Sequence, residues 1–290
     1  MSLTVVIGLA LAVATALSSV LGFLYKHRGA TESPPVRRDR PLRSSLVLFR
    51  SRWYTLGIVI ATGSWGFHVA ALSLAPISLV QSVIAGGLVL LAFTADRFFA
   101  HNVTRREWIG VALAATGLAF LAATLGDTGD SAHSNYEVAR LVPFISAAAG
   151  LGLLVAAFAP EGERQGVALG ASAGLLWAAS DTSIKALSSR LGDSVGSILF
   201  HPLAAVIILA SFAGLLVSAR SLQLGKALPV IAVTSVAANV VTIAAGPIVF
   251  GEPLPSTTLG LVVRMLAFGL VIGAAALTPA PVGAAEYSEA

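Results

Sequence analysis

Runs of about 20 consecutive apolar residues recur along the whole of this sequence, and they restrict what the chain can fold into. A helix of that length crosses the roughly 30 Å hydrocarbon core of a bilayer. Charged residues make up 11% of the chain, whereas a soluble domain has about 25%. The pattern predicts an all-α membrane protein with the lipid bilayer as its surroundings.

The apolar runs divide into about nine predicted transmembrane helices. We place them at residues 3–24, 55–74, 77–95, 108–125, 139–159, 167–188, 195–218, 228–250 and 257–277. The first run has no basic residue before it and is followed by Lys26, His27 and Arg28. A signal peptide has the opposite arrangement, so we interpret this run as a retained helix.

Lysine and arginine lie mostly on one side of these predicted helices. Alternate loops hold 14 of the 18, and the remaining four are Arg140, Lys185, Arg190 and Arg264. The positive-inside rule then predicts an N-terminus outside and a C-terminus in the cytoplasm, in the plasma membrane. Basic loops also account for the net charge of +4, so we expect no nucleic-acid partner.

The two halves of the chain resemble each other. GLALAVATALSSVLGFLYK (8–26) and GVALGASAGLLWAASDTSIK (166–185) are both small-residue runs that end in lysine, and similar elements follow each of them. The predicted helices one to four would match helices six to nine in inverted topology, as in secondary transporters with a site between the repeats. Chance similarity of Ala/Leu/Gly helices is the alternative.

The predicted units are a first four-helix repeat at 1–125 with a basic loop at 25–54, a linking central helix at 126–165, a second repeat at 166–278 and an acidic tail at 279–290.

Asp181 is the one acidic residue inside a predicted span. A charge at a helix centre costs roughly 2.5–3.5 kcal/mol on insertion scales, so Asp181 should face the bundle interior with a partner. Lys185, one turn later, is one candidate, although it could extend to the outer surface instead. Arg264 is another candidate partner, because Asp181 and Arg264 both come to about 10 Å below that surface. A structural ion pair and a binding or coupling role both stay open.

Other polar and aromatic side chains fall at comparable depths. The candidate substrate-binding or coupling site comprises Asp181, Arg264, Lys185, His68, Gln81, His201, Asn239, Trp65 and Trp177. For the histidines, a simple interhelical hydrogen bond is the competing interpretation. Because the chain has no cysteine and no clustered acids, we expect no metal site and no cofactor.

Five short segments carry a family resemblance: YKHRG (25–29), RWYTLG (52–57), AALSLAPISLVQS (70–82), SIKAL (183–187) and FGEP (250–253). Together they resemble the drug/metabolite transporter superfamily, and within it the NIPA branch of magnesium transporters. The resemblance covers most of the chain and implies nine helices, an outside N-terminus and magnesium as substrate. One departure is Asp96, which stands where such families often place a glutamate after the third helix.

These observations favour a secondary transporter that moves a small polar or anionic metabolite by alternating access, with Lys185 and Arg264 facing its negative groups. Magnesium transport is the alternative that the resemblance implies, although Mg²⁺ prefers several oxygen ligands and Asp181 stands beside two cations. Flipping of a lipid-linked precursor, a non-transporting accessory subunit and a homodimer also stay open. The sequence has no HExxH motif and no P-loop, so we expect neither an enzyme nor an ATP-driven pump.

Overall fold

The computed structural model describes residues 2–34, 46–86, 132–161, 164–190, 192–225 and 227–277, together with isolated positions between 105 and 120. The regular secondary structure of these residues is helical, as predicted. The helices are α1 (Leu3–Thr31), α2 (Arg52–Leu74), α3 (Ile77–Gly86), α4 (Val138–Ala157), α5 (Arg164–Ser188), α6 (Val195–Leu199), α7 (Pro202–Leu224), α8 (Ala227–Val249) and α9 (Thr258–Leu277).

Four of these helices, α1, α2, α4 and α7, are long and apolar enough to cross a membrane. Shorter apolar stretches lie in α3, α8 and α9. This architecture fits a membrane protein, while the count of nine spans and the orientation of the termini stay predictions. The predicted span at 108–125 lies outside the described residues apart from isolated positions, and so do Asp96 and the tail at 279–290.

The helix α5 is the centre of the described bundle. It packs against α4, α7 and α8 and also touches α2. Small residues permit this approach, because a methyl group on Gly170 would come within 3.1 Å of the Val230 carbonyl of α8. On the opposite side, the Ser172 hydroxyl donates a 2.7 Å hydrogen bond to the Gly152 carbonyl of α4. Close helix packing of this kind gains van der Waals contact that lipid cannot supply.

The helix pairs in the two halves of the chain are arranged alike. Along α1 and α2, Gly8 approaches Ala75 at one end and Gly29 approaches Tyr54 at the other, so the two helices are antiparallel. The helices α5 and α7 are also antiparallel neighbours, with the Ser221 hydroxyl of α7 donating to the carbonyl at the start of α5. The first helix of each predicted repeat thus contacts the second. The inverted repeat itself stays a prediction.

The predicted single span at 195–218 is wrong. The chain forms the short helix α6 and then starts α7 at Pro202, a residue whose ring suits the first turn of a helix and disfavours a helical residue before it. His201 is the N-cap, and its Nδ1 accepts a hydrogen bond from the Leu203 backbone N–H at 3.2 Å. The first helix is also longer than predicted: α1 continues to Thr31 and therefore includes Lys26.

Candidate functional site

A cavity of about 530 Å³ lies between α1, α2, α5, α7 and α8, with residues of α3 closing part of it. Its walls are mostly apolar, and hydroxyl groups from several helices provide much of the remaining surface. Six residues of the predicted site line it: Trp65, His68, Gln81, Trp177, Asp181 and Asn239. A volume of this size suits a small organic molecule.

Asp181 is held in this cavity by two side chains from other helices. Its Oδ1 lies 3.1 Å from Nε2 of His68 on α2, and its Oδ2 accepts a 3.2 Å hydrogen bond from Nε2 of Gln81 on α3. Both ring nitrogens of His68 are buried and neither has hydrogen-bond geometry to a described residue, so the approach of Nε2 to Asp181 is a short polar contact. The Asp181 side chain keeps 17% of its surface exposed, so the carboxylate still faces the cavity. The carboxylate can accept a hydrogen bond from a ligand or form an ion pair with a positively charged group of the ligand.

Lys26 lies in the same cavity, where the sequence analysis did not place it. Its side chain is buried, and Nζ lies 4.1 Å from the ring centroid of Phe23 and 5.8 Å from that of Trp177. The two rings meet edge to face with centroids 5.6 Å apart. The predicted boundary at residue 24 assigned Lys26 to a basic loop. The repeat alignment offered a signal, because it matches Lys26 with Lys185 at the end of each lysine-terminated run.

Three more predicted residues complete the wall. Asn239 is buried, and its Nδ2 donates to the Ser235 hydroxyl at 3.2 Å within α8. Trp177 fits against α7 because Gly214 has no side chain there, and a methyl group would clash with the indole ring. Trp65 keeps 49% of its surface exposed, so it lies at the edge of the cavity. Tryptophan rings and an amide on opposite helices give the cavity both stacking and hydrogen-bonding surface.

Lys185 is not part of the cavity lining and does not extend to the surface. Its Nζ donates 2.7 Å hydrogen bonds to the carbonyls of Leu72 and Ala75, and another to the carbonyl of Ala132. The Leu72 and Ala75 carbonyls are free because α2 ends at the Ala75–Pro76 turn, which leaves its last carbonyls without helical partners. Contrary to the expectation from the sequence, Lys185 therefore does not face the cavity but stabilises the turn between α2 and α3.

Glu252 lies on the α3 side of the same Ala75–Pro76 turn. Its Oε1 accepts a 3.3 Å hydrogen bond from the Ser78 backbone N–H in the first turn of α3. Gly246 leaves room for the carboxylate, which is 4% exposed. A buried carboxylate at a helix N-terminus and Lys185 at the preceding C-terminus both oppose the helix dipole charges there. We name Lys185, Glu252 and the Ala75–Pro76 turn the charged clamp.

Arg264 and His201 also lie away from the cavity lining. The Arg264 Nη1 donates a 2.8 Å hydrogen bond to the Pro253 carbonyl, next to Glu252, and the residue is buried. The partners of Asp181 among the described residues are therefore His68 and Gln81 rather than Arg264. Equal depth was a poor guide here, because the rise along a helix does not give the direction in which a side chain points.

Comparison with known proteins gives one similarity. A probable magnesium transporter from Arabidopsis thaliana, NIPA9, is 23% identical over 280 residues, which cover 90% of this chain and 78% of the relative. No family model matches the chain, and no solved structure matches it. The similarity supports the NIPA-like resemblance and suggests a membrane transporter, while the wider superfamily assignment stays a prediction.

Proposed function

We propose that this protein is a membrane transporter that carries a small polar or anionic organic metabolite by alternating access. The observation that carries the proposal is the cavity of about 530 Å³, which lies between helices of both halves of the chain and contains a carboxylate and an ammonium group. Transporters of this general type bind their substrate between two halves that rock against each other. The similarity to a probable transporter supports the same general class.

Charges inside the cavity favour an organic substrate over a bare divalent cation. Mg²⁺ binds through oxygen ligands, usually one or two carboxylates together with several waters. The cavity supplies the carboxylate of Asp181, but that group already contacts His68 and Gln81. The ammonium of Lys26 in the same cavity would repel a divalent cation. An organic substrate has no such penalty when its negative group faces Lys26 and a neutral or positive group faces Asp181.

Magnesium transport is the second candidate, because the similar plant protein is named a probable magnesium transporter. A hydrated ion could pass along the hydroxyl groups of the cavity, which include Ser180, Ser211 and Thr234. In that case Asp181 would attract the ion, and Lys26 would lower its rate of passage.

The test is a transport assay on the purified full-length chain in proteoliposomes. One batch is incubated with a carbon-13-labelled extract of small cell metabolites, and the washed lumen is analysed by mass spectrometry. A second batch encloses a magnesium-sensitive dye and receives external Mg²⁺. Protein-free liposomes and the Asp181→Asn variant are the controls.

Entry of labelled organic compounds that depends on the protein and on Asp181 supports the proposal. A dye response without organic uptake would establish the magnesium alternative. If folded protein moves neither, the transporter proposal fails, and flipping of a lipid-linked precursor or an accessory role takes its place.

A further inference from the structure

Lys26 is one of two buried lysines in the described residues, and its surroundings differ from those of the other. The Lys185 ammonium has three backbone carbonyls as hydrogen-bond acceptors and lies near Glu252. For Lys26, 5% exposed, the described contacts of Nζ are the faces of two aromatic rings. A buried charge is normally paired or hydrogen-bonded. Lys26 therefore has bonding capacity left over, and it lies on the cavity wall.

Cation–π contacts do not replace that missing partner. They contribute up to about 2 kcal/mol for a desolvated cation, whereas removing an ammonium from water costs several kcal/mol. The rings do fix the position of the ammonium, because Phe23 and Trp177 contact each other and Gly214 holds the indole against α7. An anion that enters the cavity would thus meet a positive charge in a fixed place.

The other charged end of the cavity complements this one. Asp181 follows Trp177 by one turn of α5, a rise of about 6 Å. Its carboxylate accepts hydrogen bonds, as the contact with Gln81 shows. A ligand that reaches from Lys26 to Asp181 meets a positive group first, then an apolar aromatic wall, and then a negative group.

We propose that Lys26, with Phe23 and Trp177, forms the subsite for the acidic group of an organic acid whose other end carries an amino group or another hydrogen-bond donor for Asp181. This assignment rests on the proposed transport function and adds the chemical class of the substrate. Lys26 takes the role for which the sequence suggested Lys185 and Arg264, since both of those are used elsewhere in the fold.

The test uses four six-carbon compounds that differ in charge and cross bilayers slowly: adipate, 6-aminohexanoate, hexane-1,6-diamine and mannitol. Uptake of each radiolabelled compound is measured in proteoliposomes with the wild-type chain, Lys26→Met and Arg28→Gln. The methionine keeps the length and apolar stem of Lys26 without its charge. Arg28 lies in the same helix outside the cavity lining, so Arg28→Gln is a control with the same change in net charge.

We expect 6-aminohexanoate to enter fastest, well ahead of adipate, because the second carboxylate of adipate would be repelled by Asp181. We expect Lys26→Met to lower the rate of 6-aminohexanoate entry at least tenfold while Arg28→Gln stays within twofold of wild type. Preferential entry of the diamine or of mannitol would overturn the assignment, as would acid uptake that survives Lys26→Met within twofold. If none of the four compounds enters, the same comparison of wild type and Lys26→Met is made with the compounds of the labelled extract that do enter. Uptake of organic acids that depends on Lys26 supports the subsite. Uptake of amines or neutral compounds alone refutes it. If no extract compound enters, the proposed function has failed, and the subsite fails with it.

Discussion

The same substitution should have different effects on stability at the two buried lysines. Lys185→Met removes three hydrogen bonds from an ammonium to the carbonyls of Leu72, Ala75 and Ala132. Hydrogen bonds to a charged group contribute about 1.5–3 kcal/mol each, and loss of one partner from a buried charged pair costs about 3–5 kcal/mol. Glu252 would lose its counter-charge as well. We expect the free energy of unfolding to fall by about 4 kcal/mol.

Lys26→Met is the matched substitution, and it should not lower the stability of the protein. It gives up a cation–π attraction of up to about 2 kcal/mol and avoids a desolvation cost of several kcal/mol. The methionine still fills the space beside Gly57, whose α-carbon faces the stem of Lys26. We expect the variant to be as stable as wild type or more stable, in the absence of substrate.

The assay is thermal unfolding in detergent, followed by size-exclusion chromatography after heating and by tryptophan fluorescence. A loss of about 4 kcal/mol corresponds to a lower midpoint by about 7 °C for a chain of this size. Equal midpoints for Lys185→Met and wild type would refute the charged clamp. A drop in Lys26→Met as large as that in Lys185→Met would refute the distinction between the two lysines.

Three further outcomes follow from individual contacts. Asp181→Asn keeps the shape of the side chain and removes its charge, so uptake in proteoliposomes should fall at least tenfold while the protein elutes as a single species. Gly57→Ala should destabilise the chain by about 1–3 kcal/mol in thermal unfolding, because its methyl group would lie 2.6 Å from the Lys26 backbone nitrogen. Gly63→Ala in the same helix is the control: its methyl group meets open space, so the variant should gain about 1 kcal/mol of stability from helix propensity. His201→Ala removes a helix cap and should cost about 1 kcal/mol of stability with uptake unchanged, and a large loss of uptake would return His201 to the site.

Helix positions were predictable where an apolar run alone decides them. The first helix of the second repeat was predicted at 167–188, and α5 is found at Arg164–Ser188. The prediction failed at the break before α7, where the apolar run continues and only Pro202 marks the new helix. Hydropathy averages over such a residue, whereas the backbone responds to its fixed dihedral angle and missing N–H.

Part of the lining of the cavity could be predicted from the sequence, but the directions and partners of its side chains could not. Six of the nine candidate residues do line one cavity, because polar side chains at one level in apolar helices tend to face the bundle interior. The partner of Asp181 was wrong, since rotation about each helix axis depends on packing across the whole bundle. The role of Lys185 depends on carbonyls exposed more than 100 residues earlier in the sequence, at Leu72 and Ala75. A sequence shows the Ala75–Pro76 turn but not which side chain donates hydrogen bonds to its free carbonyls.

The central claim is that the cavity is the route of transport, and a single thiol in its wall tests that claim most directly. The chain has no cysteine, so Ser235→Cys places the one reactive thiol beside Asn239 in the cavity, and Ser197→Cys gives an exposed control outside it. Uptake is measured before and after complete reaction with a charged methanethiosulfonate reagent, with mass spectrometry as the check on modification. The account predicts that modified Ser235→Cys loses uptake while modified Ser197→Cys keeps it. Full modification of Ser235→Cys with uptake intact would contradict it.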